Sequence, residues 1–254
     1  MRIVERQTLT DLTGADGRPR AAGDLGFALM EHDYPPALLD AVLAAGRRIR
    51  AATEQSEERH LGLDHLRRAQ RLVPEVAELV HDPKRLAALS EVAGVELQPY
   101  PIGTSCSGVN FYRPGRTPIE FHCDGPAFVE LVPLYTDGSQ DGGSTVVFSG
   151  PAEVGLTRLR RGDRFDEGEL VRIPQRVGRS VLFQGRMLLH AAETLADGHR
   201  VTLVLSLRSK AEPWKDNNTL GRLLRDDRPE EVESDWRTDV ETRQLPALRE
   251  HLLS

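Results

Sequence analysis

Over the first third of the chain apolar side chains return at helical intervals, and from Val95 onward they alternate with polar ones. Leu38, Leu39, Val42, Leu43 and Ile49 share one helical face with Arg47, Arg48 and Arg50 opposite, which predicts a helix over 37–55. An extended segment ends just before it, at Asp33-Tyr34-Pro35-Pro36. Residues 56–72 are strongly charged and read as a solvated loop leading into a short helix. Asp82-Pro83 has the form of an N-cap followed by proline at the first helical position, and the stripe Leu86, Leu89, Val92 closes at Gly94, so a second helix is expected there.

Beyond Val95 the period of two appears at 95–97, 108–112, 121–132, 144–148, 170–173, 180–183 and 200–207, with glycine or proline between the runs. Strands of that number with such punctuation favour a closed or sandwiched β architecture over a βαβ fold. The last run has two unlike faces: Val201, Leu203, Leu205 and Leu207 on one, Arg200, Thr202, Val204, Ser206 and Arg208 on the other. Residues 150–169 read as a charged surface insertion. After Lys210 a short helix at 219–224, a charged turn at 226–231 and a closing helix at 245–253 are expected. No repeat or low-complexity linker divides the chain. The expected organisation is therefore a mostly helical buttress at 1–94, a β core at 95–210 and a helical or lid-like appendage at 211–254, all in a length of 254 residues that suits one large domain.

A net charge of −6 argues against nucleic acid or an anionic membrane as partner. The two cysteines, Cys106 and Cys123, make no disulfide framework, and the opening Met-Arg-Ile-Val-Glu-Arg-Gln lacks the apolar core of a signal peptide. No run approaches a membrane span. The expectation is a cytoplasmic protein, with a homodimer left open.

The stretch that carries chemistry is Tyr-Arg-Pro-Gly-Arg-Thr-Pro-Ile-Glu-Phe-His-Cys-Asp, residues 112–124. Its Pro-Gly pair reads as a hairpin turn. On a returning strand His122 and Asp124 would face one side and Cys123, a small hydrophobe, the other. With one further histidine, these two make the two-histidine, one-carboxylate facial triad of non-haem iron sites, and His190 is available. Arg200 stands ten positions beyond it.

Tyr112, His122, Asp124, Gly142-Gly143, Thr145, His190 and Arg200, in that order and spacing, resemble the core pattern of the iron(II)/2-oxoglutarate-dependent oxygenases, in the variant of prolyl-4-hydroxylase-like and small-molecule hydroxylases. The phenylalanine that follows the Gly-Gly pair, Phe148, comes one residue later than in that pattern. The resemblance implies a mainly β fold with flanking helices (α+β) around a double-stranded β-helix, the jelly-roll core shared with cupins. It implies Fe(II) on His122, Asp124 and His190, with 2-oxoglutarate and O2 as cosubstrates. The distal carboxylate of 2-oxoglutarate would meet Arg200, whose planar donor fork suits it, beside the hydroxyls of Thr202 and Tyr112. Release of succinate and CO2 would accompany hydroxylation of an unactivated C–H bond. A carboxylate ligand at Asp124, where related halogenases carry a small residue, favours hydroxylation. The expected substrate is a small molecule, a free amino acid or a specialised-metabolite intermediate, with Glu120 and Arg208 placed to hold opposite ends of a zwitterion and Trp214, Asn217 and Asn218 candidates for a lid. Rival readings are a protein or peptidyl-prolyl hydroxylase and a non-catalytic metal-binding jelly-roll protein.

Overall fold

The alternation that begins at Val95 builds two antiparallel sheets, described here from a computed structural model that covers residues 1–15, 20–52, 63–115, 118–138 and 142–253. The strands are β1 (Arg2–Thr8), β2 (Leu25–Glu31), β3 (Asp64–Arg67), β4 (Leu97–Pro99), β5 (Ser107–Tyr112), β6 (Ile119–His122), β7 (Phe128–Thr136), β8 (Thr145–Phe148), β9 (Leu170–Ile173), β10 (Arg179–Phe183), β11 (His190–Ala192) and β12 (Arg200–Ser209). The large sheet runs β1-β2-β10-β7-β12-β5-β3, with β4 paired to β12, and the small sheet runs β6-β11-β8-β9. Phe27, Leu29, Val129, Val181 and Phe183 of the large sheet meet Val147 and Ile173 of the small one, so the two sheets share an apolar interior.

The helices are α1 (Leu9–Thr13), α2 (Pro36–Ala52), α3 (Ala69–Leu72), α4 (Pro74–His81), α5 (Pro83–Ala93), α6 (Gly103–Cys106), α7 (Ala152–Arg160), α8 (Leu220–Leu223), α9 (Pro229–Asp239) and α10 (Leu245–Leu253). A π-helical turn at Val240–Gln244 joins the last two. Leu39 and Val42 of α2 with Val76, Leu79 and Val80 of α4 pack on Val109, Phe111, Val201, Leu203 and Leu205, the outward side chains of β5 and β12. Leu89 and Val92 of α5 do the same against Met30, Phe128, Leu182 and Leu207. The inward side chains of those strands are thereby left for the space between the sheets. Asp82 caps α5 by accepting from the Lys84 backbone N–H, and Gly94 ends it in the left-handed conformation, as its sequence predicts.

Three expectations change. The N-terminal segment opens with two strands: β1 and β2 extend the large sheet, although only β2 is apolar on both faces. Part of the charged segment at 56–72 is an edge strand, β3, because its polar side chains find partners there. Arg67 forms a bidentate pair with Asp227 and Asp64 accepts from Arg113. The segment's beginning, like the expected end of the first helix at Gln55, lies outside the described residues. The run at 121–132 is two strands in different sheets, β6 and β7, parted by the turn that holds Gly125 and Pro126.

The C-terminal helices are tied to the large sheet by Arg208 and Asp239, whose side chains are 1% and 2% exposed and make two parallel hydrogen bonds of 2.6 Å. Gln244 donates to the same carboxylate. No described helix is long and apolar enough to cross a membrane.

Removing one member of such a pair leaves a buried, uncompensated charge. Asp239→Ala is therefore expected to lower the unfolding free energy by about 3–5 kcal/mol, measured by urea denaturation. Burial alone would raise the Asp239 carboxyl, but Arg208 and Gln244 hold it below its ordinary value. The pair's contribution is then present above the ordinary carboxylate range and fades as pH falls through the lowered value. A loss near zero would show that the pair does not anchor the C-terminal helices.

Candidate metal centre

Strands β6 and β11 are antiparallel neighbours, and their register sets His122 directly opposite His190. The ring centroids are 4.3 Å apart. In each histidine Nδ1 lies against the backbone carbonyl two residues earlier, Glu120 at 2.8 Å for His122 and Leu188 at 2.9 Å for His190. A carbonyl only accepts, so each Nδ1 carries the proton and each Nε2 is left with its lone pair free. Both Nε2 atoms point to one oxygen, Oδ1 of Asp124, at 3.3 Å and 3.6 Å.

Asp124 itself follows the end of β6, so its position comes from the turn rather than from strand alternation. Its backbone N–H donates to the Gly185 carbonyl at 3.0 Å, and its carbonyl accepts from Asn217 at 3.3 Å. Gly185 has no room for a side chain: a Cβ there would sit 1.9 Å from Asp124 Oδ2. Burial alone would raise the Asp124 carboxyl; His190 and His122, when protonated, hold it well below the usual carboxylate range, a role that would pass to a bound cation once both imidazoles are neutral.

One carboxylate and two neutral imidazoles thus offer three ligand atoms within 4.8 Å of one another. Asp124 Oδ2 is buried with no hydrogen-bond partner. A buried oxygen so placed suits a hard or borderline divalent cation, and three protein ligands leave coordination positions open. The donor set therefore fits Fe(II).

The triad opens on a cavity of about 160 Å³ whose polar lining includes Asn110, Tyr112, Thr145 and Ser206 and whose apolar walls include Val129, Leu131, Phe183 and Val204. Arg200 and Thr202 lie on the same face of β12 as Val204 and Ser206, cross-strand from Tyr112 and Asn110. The Arg200 guanidinium packs on the ring of Tyr112, a residue of the cavity wall, 3.9 Å from its centroid. Arg200 is 4% exposed and has no carboxylate partner among the described residues; its Nε and the Thr202 hydroxyl are buried without hydrogen bonds.

No family model matches the sequence, and no curated protein matches it. Solved structures do. The 2-oxoglutarate-dependent epimerase SnoN from nogalamycin biosynthesis is 18% identical, with TM-score 0.54 over 73% of this chain and 78% of its own. HygX of Streptomyces hygroscopicus, solved with nickel and 2-oxoglutarate, is 14% identical, with TM-score 0.56 over 72% and 83%. A Pseudomonas putida prolyl-4-hydroxylase is 16% identical, with TM-score 0.50 over 72% and 92%. The chain has the jelly-roll fold of the non-haem 2-oxoglutarate-dependent enzymes.

Within that jelly roll the expected substrate contacts fall elsewhere. Glu120 shares strand parity with His122 in sequence, but two steps along β11 match three along β6, a bulge that puts Ile119 rather than Glu120 in the cavity wall. Glu120 instead lines an apolar cleft beside Phe121, Leu156 and Leu170. Arg208 is taken by Asp239. Trp214 packs against His251 of α10, with ring centroids 5.3 Å apart. Asn217 and Asn218 hold the turn around Asp124 and Gly125, the first through the contact already named and the second by filling the space beside Gly125. Cys123 is half-buried, and its carbonyl accepts from Arg222 at 2.8 Å.

The supports that sequence reading missed are backbone carbonyls and a glycine: Leu188, Glu120 and Gly185. The two carbonyls had no residue-type signal at all, whereas a glycine five positions before His190 was visible. Gly185→Ala is expected to weaken metal binding roughly tenfold or more by displacing the Asp124 carboxylate, measured by calorimetric titration with Ni(II), while Cys123→Ala leaves it within about twofold because that thiol contributes no ligand. Equal effects of the two substitutions would contradict this arrangement.

Proposed function

We propose that this protein is an Fe(II)- and 2-oxoglutarate-dependent dioxygenase that hydroxylates a C–H bond of a small molecule. The observation that carries the reading is Arg200, a buried cation without a counter-charge among the described residues, on the barrel face that leads to a three-ligand metal centre. Cation–π contact with Tyr112 is worth about 2 kcal/mol or somewhat more when desolvated, against the several kcal/mol that burying a lone charge costs. A dianion held by Arg200 would offset that cost.

His122, Asp124 and His190 would hold the iron, with the Glu120 and Leu188 carbonyls fixing both imidazoles in the tautomer that presents Nε2. Arg200 would hold the distal carboxylate of 2-oxoglutarate, with Tyr112 and Thr202 as hydroxyl donors next to it. Bound Fe(II), with 2-oxoglutarate and O2, supplies the oxidant for C–H hydroxylation and yields succinate and CO2. Val129, Leu131, Phe183 and Val204 supply the apolar wall of the cavity. Asp124 fills the third ligand position, which supports hydroxylation over halide transfer.

A small-molecule substrate is supported by the fold neighbours, among them HygX solved with hygromycin B bound. A zwitterionic amino acid has lost its particular support, because Glu120 and Arg208 do not reach the cavity. A specialised-metabolite intermediate is the reading that stands. O2 uptake and succinate release should rise on adding a substrate from a panel of such molecules, and turnover of proline-containing peptides alone would replace this with the peptidyl reading. Arg200→Gln is expected to raise the half-saturating 2-oxoglutarate concentration roughly a hundredfold or more; an unchanged value would remove Arg200 from that role.

A further inference from the structure

A second cavity, of about 700 Å³, shares His122 with the metal-centre cavity and opens between β6, α7 and α8. Its lining is strongly cationic in a chain whose net charge is −6. Arg20, Arg160, Arg186, Arg222 and Arg225 face it, against two carboxylates, Glu153 and Asp226. Glu153 is ion-paired with Arg20, and Asp226 pairs with none of the others. Four guanidinium groups are thus left without a carboxylate partner among the described residues.

Two of these arginines are fixed rather than waving in solvent. Arg222 donates to the Cys123 carbonyl, between the ligands His122 and Asp124, at 2.8 Å. Arg186 donates through Nε to Asn217 at 3.1 Å and through a terminal nitrogen to the Arg20 carbonyl at 2.7 Å. Asn217 in turn donates to the Asp124 carbonyl. Both guanidinium groups are therefore half-buried and tethered to the segment that carries two metal ligands, and the contacts that tether them are neutral acceptors that leave their charge uncompensated. Phe121, Leu156 and Met187 supply apolar wall between them. Oriented, partly desolvated guanidinium groups around an apolar floor are the chemistry that recognises an oxyanion on an organic body.

We infer that the substrate of this oxygenase carries an oxyanion, a carboxylate or a phosphate, which Arg186 and Arg222 hold while the rest of the molecule reaches past His122 to the metal. The inference rests on the dioxygenase reading and adds to it the charge of the substrate. Arg160 and Arg225, exposed at the rim, steer the anion inward.

The test is an anaerobic calorimetric titration of the Fe(II)- and 2-oxoglutarate-loaded protein with three probes of similar size: phenyl phosphate, benzoate and benzyl alcohol. Saturable binding of an anion, with no binding of the alcohol, is expected, and the tighter of the two anions identifies which oxyanion the chamber takes. Arg222→Gln should weaken anion binding roughly tenfold or more, the loss expected when one hydrogen bond to a charged group is removed. Arg186 also braces Asn217, so Arg160→Gln, which changes only an exposed side chain, serves as the second variant and should give a smaller loss in the same direction. Benzyl alcohol binding as tightly as the anions, or both variants binding anions with wild-type affinity, would overturn the inference. Iron and 2-oxoglutarate binding are measured first in the same preparation. If they fail while anions still bind, the dioxygenase reading fails and takes the substrate role of the chamber with it.

Discussion

Everything at the metal centre depends on one register, the antiparallel pairing of β6 with β11 that sets His122 opposite His190. Directly opposed residues of neighbouring strands hold their Cβ atoms about 5 Å apart, close enough for two imidazoles to reach one ion. A slip of one residue would send one ring to the other face of the small sheet. The rest of the fold guards against that slip. The shared interior between the sheets packs Val147 of β8, the other neighbour of β11, against Phe183 and Leu188, and the Glu120 and Leu188 carbonyls fix each ring from behind. Asp124 is added from the turn, held by Gly185 and Asn217.

Burial of charge separates scaffold from site. Arg208 with Asp239 and Arg85 with Glu130 each pair a helix with the β core, and Arg67 with Asp227 pairs edge strand β3 with the connection between α8 and α9. Glu130 also accepts from the Tyr34 hydroxyl at 2.7 Å, so even its second oxygen is satisfied. At the centre the pattern reverses. Asp124 Oδ2, Arg200 Nε and the Thr202 hydroxyl are buried without hydrogen bonds. Arg85 Nη2 and Arg208 Nε also lack a hydrogen bond, but those arginines have a carboxylate beside them, whereas Arg200 has none among the described residues, a charge that a dianion would complete.

Much of this was legible in the sequence because the relevant signals are periodic or depend on residue type. The switch to alternation after Val95, the Asp82-Pro83 and Gly94 helix boundaries, and the two faces of β12 follow from local chemistry. His122, Asp124 and His190 stood out as a donor set, and the structure brings their ligand atoms together. What stayed hidden was set by pairing. The β6 bulge that turns Glu120 out of the cavity is a property of two strands together, and the commitment of Arg208 to Asp239 joins positions 31 residues apart. The arginine-lined chamber is of the same kind. Its members come from five separate places in the chain and share no motif.

The central claim is that the triad and its cavity hold Fe(II) and 2-oxoglutarate together. It is tested most directly by anaerobic titration of the Fe(II)-loaded protein with 2-oxoglutarate, following the visible metal-to-ligand charge-transfer band of the chelate. A saturable band reaching one equivalent per chain, absent in His190→Ala, is the expected result. Folded, iron-loaded protein that develops no band at saturating 2-oxoglutarate would contradict it and leave the site to another metal or to binding alone.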